Sequence, residues 1–531
     1  MATESATRRR PRATAPPAWL VGAGALVAGI GIVPVVYLVV VASSGGEPAL
    51  ELLFRDRTLA VLARTLGLAV VVTAASVLIG LPIAWLTTRT DLPGRRAWTI
   101  LTALPLVVPS YVGAFAMIAA FGPRGALQSL LEPFGVERLP ELYGFPGAAL
   151  TLTLFSFPYV VLGARGALLR LDAAYEEVSR SLGRGPWATF VAVTLPQLRP
   201  ALVAGALLVA LYTLSDFGAV SLMQFDSLTR AIYIQYRASF DPTLAAVLAL
   251  LLVACTGAIL LAESRLRGRA AYYRTEGVRR TPRRVALGAW RWPALALCVA
   301  VVGLALAVPL LTVGYWLVRG LAAGETARVV LDATLNSMVA SSLAAVLAVA
   351  AAVPVAVLAV RHRGRIGAFV ERATYAGFAL PGIVIGLAFV FVAARYLPLI
   401  YQTMALLLVA YVVRFAPEAL GITRSSLLAV SPRLEEVART LGRRPSAVLR
   451  DVTLPIVRPG LAAAGALVFL TAMKELPITI LLAPTGFDTL AIRIWSATSE
   501  GFYTRAAGPA LLMLAVAAIS LGLVLRLERD R

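Results

Sequence analysis

This chain is short of charge, and shortest of histidine, lysine and cysteine. Of its 531 residues one is histidine (His362), one is lysine (Lys474) and two are cysteine. Cys255 and Cys298 each lie inside an apolar run, away from other metal-ligating residues. That excludes a disulfide framework and reads as ordinary buried thiols. With one histidine, set in an arginine-rich gap, His-based metal sites and the usual catalytic triads lack their parts. A phosphate-binding loop needs Gly-x-x-x-x-Gly-Lys-Ser/Thr, and Lys474 is followed by Glu475 in an apolar stretch. The chain therefore reads as no enzyme, binding no cofactor or metal of its own. Only 15% of residues are charged and 59% are hydrophobic, which excludes a soluble domain. The formal charge of +21 comes from arginines gathered at the N-terminus and in a few gaps between apolar runs. That placement follows the positive-inside rule and argues against nucleic acid as a partner.

What is present is a series of apolar runs, each near the roughly 20 residues that a bilayer demands of a helix. Twelve are legible, at 19–42, 60–88, 98–121, 145–169, 200–222, 243–263, 292–318, 335–360, 368–394, 401–427, 457–482 and 506–527. The expected fold is an all-α polytopic membrane protein. Arg8, Arg9, Arg10 and Arg12 favour a cytoplasmic N-terminus. Counted from there, the even gaps are arginine-rich and the odd ones mixed or acidic, as at Glu132, Glu137 and Glu141. Both termini are then cytoplasmic.

The chain divides into a cytoplasmic arm (1–18), a first unit (19–264, core about 58–263), a basic linker (265–291) and a second unit (292–531, core about 330–527). Six helices per unit return the chain to its starting side, so the units form a parallel repeat of six helices each. Leu81-Pro82 matches Val353-Pro354, Ala103-Leu-Pro105 matches Ala379-Leu-Pro381, and Phe225-Asp-Ser-Leu228 matches Phe487-Asp-Thr-Leu490.

The clearest repeat lies in two gaps expected to face the cytoplasm. Glu177-Val-Ser-Arg-Ser-Leu-Gly183 runs on to Val193-Thr-Leu195-Pro196, and Glu436-Val-Ala-Arg-Thr-Leu-Gly442 to Val452-Thr-Leu454-Pro455. Asp172 and Ser431 suit the N-cap of a short helix, with Glu176-Glu177 and Glu435-Glu436 in its first turn. Gly183 and Gly442 end that helix, and Leu-Pro starts a second stretch leading to the next membrane helix.

These segments resemble the EAA signature of the membrane subunits of binding-protein-dependent ABC importers of the first type. Val-Ser and Val-Ala stand for the two alanines, and valine for the isoleucine. The resemblance implies that Glu177, Gly183, Leu195, Pro196, Glu436, Gly442, Leu454 and Pro455 couple the permease to ATPase subunits. ATP and magnesium would be bound on those subunits, and the likeness of the two copies suits two identical ATPases. It also implies an extracytoplasmic solute-binding protein and residence in a bacterial cytoplasmic membrane, in contact with lipid.

Asp216 and Glu475 occupy equivalent positions, with Lys474 beside the latter. Charges at that depth are costly and are read as lining the translocation path, against a structural ion pair or a headgroup position. On the outer side, Phe225, Asp226 and Arg230, and Phe487, Asp488 and Arg493, either cap short surface helices or dock the binding protein. The segments 214–220, 474–479 and 484–490 are similar to the fused permeases of ferric-iron importers, which makes iron the implied cargo. Thiamine, polyamine and phosphonate permeases are related alternatives, and a six-plus-six secondary transporter is the rival of another class.

Overall fold

The computed structural model describes residues 16–123, 125–136, 139–238, 242–266, 284–324, 327–362 and 364–529. Most of the N-terminal arm, the central part of the linker and Glu137 lie outside the described residues. Those described are almost wholly helical, and the one β-bridge among them joins Thr90 to Val285.

In the first half the helices that matter are α1 (Ala18–Ser44), α2 (Asp56–Arg89), α3 (Arg95–Leu101), α4 (Ser110–Phe121) and α5 (Phe145–Leu168). They are followed by α6 (Ala173–Ser181), α7 (Pro186–Ser215), α8 (Gly218–Leu222), α9 (Leu228–Ala238) and α10 (Pro242–Leu266). The second half repeats the order as α11 (Gly288–Ala322), α12 (Ala327–Arg361), α13 (Arg365–Ala379), α14 (Gly382–Tyr396), α15 (Met404–Ala429) and α16 (Pro432–Thr440). It closes with α17 (Ser446–Met473), α18 (Pro477–Leu482), α19 (Leu490–Ser499) and α20 (Tyr503–Arg529). Leu78, Leu311, Val346 and Ile519 face outward and exposed, as side chains turned toward lipid should.

Among the described residues ten helices are long and apolar enough to cross a membrane, and two further apolar stretches are bent helix pairs. The runs 98–121 and 368–394, expected as single helices, turn through 99° and 100°. Proline accounts for both. Pro109 has φ −61° and ψ 143°, and Pro381 has φ −57° and ψ 143°. Each lacks an N–H and drives the residue before it out of the helical region; Val108 and Leu380 are both extended. The match of Pro105 to Pro381 is corrected here. Pro105 lies inside a short 3₁₀ turn (Leu104–Val107), and Pro109 is the true counterpart.

Two further expectations change. Leu195-Pro196 does not begin a new helix, because α7 already starts at Pro186 and runs 30 residues. A wide π turn at Phe190–Thr194, and its twin at Leu449–Thr453, makes room for the proline ring and the missing donor. The runs 200–222 and 457–482 are each broken, at Asp216 and at Lys474-Glu475.

The halves are also interlocked. Helix α1 packs against α12, α13 and α14 of the second half, with Gly24 tight against Leu358 and Val370. In return α11 packs against α4, and its Cys298 sits with Leu86 and Leu92.

Candidate functional site

The twin loops share one end of the molecule with the termini of α2 and α12. The Asp172 carboxylate accepts from the N–H of Ala174 at 3.0 Å, and Ser431 Oγ from that of Arg433 at 3.4 Å. Both α6 and α16 are thereby capped. Each helix ends on a glycine in the left-handed region, Gly183 at φ +82° and Gly442 at φ +84°. The next N–H reaches back to the last turn, Arg184 to Ser179 O (3.3 Å) and Arg443 to Ala438 O (3.2 Å), the bond expected at such an end.

Glu177 and Glu436 are exposed, whereas the residues just before them turn inward. Glu176 Oε1 meets Arg89 Nη2 at 3.3 Å and accepts from Thr194 Oγ1 at 2.9 Å. Glu435 Oε1 meets Arg361 Nη2 at 2.9 Å and Nε at 3.0 Å, and accepts from Thr453 Oγ1 at 3.0 Å. Arg361 also donates to the carbonyls of Leu427 (3.3 Å) and Val430 (3.1 Å). Each carboxylate thus joins three pieces of chain: the end of a membrane helix, the loop helix, and the start of the next membrane helix. The sequence reading placed Glu176 and Glu435 in the first turn of these helices but did not pair them with Arg89 and Arg361. Glu176 and Glu435 are as visible as their neighbours, but the arginines lie 87 and 74 residues away in sequence.

The outer face of each loop helix carries an apolar stripe, Tyr175, Val178 and Leu182 in α6 and its end, Leu434, Val437 and Leu441 in α16 and its end. Leu182 is 75% and Leu441 79% exposed, so the stripe is an apolar patch on the surface of the molecule. Its helical spacing in a polar gap was a legible signal. Leu195 and Leu454 are half-buried beneath the loops, and Pro196 and Pro455 are exposed.

Between the halves lies a cavity of about 330 Å³. Asp216, Lys474 and Glu475 all line it, joined by Arg414 and Glu418, which the sequence reading passed over. Two charges one helical turn apart in an apolar run were the available signal. Four of the five are engaged on broken backbone. Asp216 Oδ1 accepts from the N–H groups of Ala219 (2.9 Å) and Val220 (3.2 Å), capping α8. Glu475 Oε1 accepts from Ile478 N–H (3.2 Å), capping α18. Lys474 Nζ donates to Leu106 O (3.0 Å) and Arg414 Nη1 to Leu380 O (2.9 Å), the carbonyls freed where the two bent spans turn. None of the three readings offered for Asp216 and Glu475 included this capping role. A helix broken inside a membrane must satisfy its ends locally.

Away from the twin loops, Phe217 lines the cavity. Its ring lies 4.9 Å from Tyr233 on α9 and 5.0 Å from Trp495 on α19. The last two line a second hollow of about 460 Å³ beyond it. Of the proposed docking residues, Phe225 is buried against Phe145 (5.8 Å), so it anchors its loop. Asp226 pairs with Arg230 and with Arg64 (3.7 Å), and Asp488 with Arg493 (2.6 Å). Phe487 is half-buried and Arg493 exposed.

Comparison with known proteins agrees with this geometry. The family model described as "Binding-protein-dependent transport system inner membrane component" matches twice, over residues 76–264 and 352–530. The Fe(3+)-transport system permease protein FbpB 2 of Haemophilus influenzae is 35% identical over 94% of this chain and 96% of its own length. The molybdenum transport system permease protein ModB of Azotobacter vinelandii is 32% identical over 34% of this chain and 80% of its own. The sulfate transport system permease protein CysW of Escherichia coli is 30% identical over 39% of this chain and 70% of its own. A twice-repeated family unit, carried through membrane helices that end in two matching loops, makes this chain a fused, two-unit member of the inner membrane components of binding-protein-dependent transport systems.

Proposed function

We propose that the chain is the permease subunit of an ATP-driven importer that moves ferric iron into the cytoplasm. An extracytoplasmic solute-binding protein delivers the iron at the end bearing α9 and α19. The twin loops face the cytoplasm, as do both termini, and each loop docks one of two identical ATPase subunits, which hold the ATP and magnesium.

The observation that carries the ATPase reading is the pair of loops, alike in cap, left-handed glycine, buried glutamate and exposed apolar stripe. A push on α6 or α16 reaches two membrane helices at once through Glu176 or Glu435. Iron rests on the relative named for Fe(3+), which aligns with nearly the whole of both chains, whereas the molybdenum and sulfate permeases align with about a third of this one. Alternating access follows: ATP draws the loops together, the cavity opens past Phe217, and hydrolysis resets it.

The test is reconstitution in liposomes with the cognate ATPase and binding protein loaded with radioactive ferric iron. ATP-dependent uptake that disappears when the ATPase is omitted is expected. Uptake by the chain alone under an ion gradient would refute the ATP-driven reading, and ATP-driven uptake of another solute only would refute iron.

A further inference from the structure

Five charged side chains line the central cavity, and four of them have a task that any cargo would leave unchanged: they cap helix ends or hold freed carbonyls. Glu418 does not. Its hydrogen bond comes from a side chain, Thr471 Oγ1 to Oε2 at 2.9 Å, and it remains partly accessible to the cavity. The same cavity is lined by Tyr159, the residue that holds the same repeat position in the first half (418 − 159 = 259). Tyr212, with its ring 5.9 Å from that of Tyr159, adds a second phenol.

We infer that Glu418 of the second half and the phenol oxygens of Tyr159 and Tyr212 of the first form a transit site for a hard, oxygen-seeking cation. The inference rests on the iron reading above and deepens it. Carboxylate and neutral oxygen donors are what such cations select. Among the described residues no three acidic, histidine or cysteine side chains converge as a metal cage. The site therefore holds its cation through one anionic ligand, with water completing the shell. That suits a path, because a site on a path must release what it binds. Arg414, one turn earlier on α15, and Lys474 also face the cavity. Held on carbonyls, they balance Glu418 when the cavity is empty and repel the cation enough to keep its stay short.

Glu418→Gln is the informative change, since the amide oxygen still accepts from Thr471. In the reconstituted complex, radioactive ferric iron imported per ATP hydrolysed should fall about tenfold, the loss of roughly one good interaction, and Glu418→Asp should recover part of it. A ratio equal to wild type in Glu418→Gln would overturn the site. A second measurement works without transport: terbium(III), a hard trivalent ion, titrated into the purified complex and excited through tyrosine. Sensitised emission should be weaker in Glu418→Gln and in Tyr159→Phe than in wild type, and equal emission in all three would overturn the site. If wild type imports no iron, the iron reading fails and the terbium comparison alone decides whether a cation site exists.

Discussion

The two halves agree at one end of the molecule and part company in the middle. At the loop end, Arg89, Glu176 and Thr194 repeat as Arg361, Glu435 and Thr453, and the terminating glycines share nearly the same φ. Around the cavity, Tyr159, Tyr212 and Ser215 of the first half stand where the second has Glu418, Thr471 and Lys474. The first half brings phenols and one charge, Asp216, to the cavity, and the second brings four charges. On the proposed function, equal loops suit equal partners pushing in concert, whereas a solute passing between the halves would meet both walls at once and need no symmetry from them.

The agreement is not perfect, and its flaw yields the largest effect. Arg361 makes four hydrogen bonds or ion contacts through Nε and Nη2, against one for Arg89. Arg361→Ala leaves Glu435 buried and unpaired, which should cost about 3–5 kcal/mol. Arg89→Ala should cost less, about 1–3 kcal/mol, because Glu176 is more exposed. Thermal unfolding of both purified variants in detergent measures the gap, and equal shifts would erase the asymmetry.

Next comes the aromatic clamp at the far end of the cavity, where Leu476 is the repeat counterpart of Phe217. Phe217→Leu makes the halves alike there and removes two ring contacts, each worth about 0.5–1.5 kcal/mol beyond buried area. Faster leak of a small ion from liposomes holding the resting complex is expected. An unchanged leak would show that the aromatic clamp is packing and not a seal.

Smaller still, Gly183→Ala and Gly442→Ala each force a side chain into the left-handed region, at about 1–2 kcal/mol. Nothing lies within 4 Å of an added Cβ at either site, so the two costs should match. Loss of ATPase-driven uptake in one variant only would break the equivalence of the loops. Last, Thr194→Val and Thr453→Val each remove one hydrogen bond to a glutamate that keeps its arginine, at about 1 kcal/mol. A double mutant with Arg361→Ala should be non-additive for Thr453 and additive for Thr194.

Much of this was legible in the letters. The apolar runs gave the spans, and the caps at Asp172 and Ser431 and the glycines at 183 and 442 stand where their chemistry suggested. Other features were hidden for identifiable reasons. Pro105 and Pro381 match by neighbouring letters, but the offset of 272 that relates Pro82 to Pro354 relates Pro109 to Pro381, and the bends follow that offset. Glu176 and Glu435 keep the spacing of the twin segments they sit in, whereas Arg89 and Arg361 are set further apart, so no single offset reveals the tie. Glu418 escaped notice because its partner in the repeat is a tyrosine and not another charge.

By itself the sequence determined what is local: how long each segment stays apolar, where a proline denies a donor, which residue caps a helix and which glycine ends it. These follow from side-chain chemistry within a turn or two of the chain. Only the tertiary structure decided which charges meet, that α1 and α11 cross to the opposite half, and that four of the cavity's five ionic groups serve broken backbone while one is left facing the cavity. Those outcomes depend on contacts between segments far apart in the chain, and in a membrane they are fixed by the need to satisfy every freed backbone group without water.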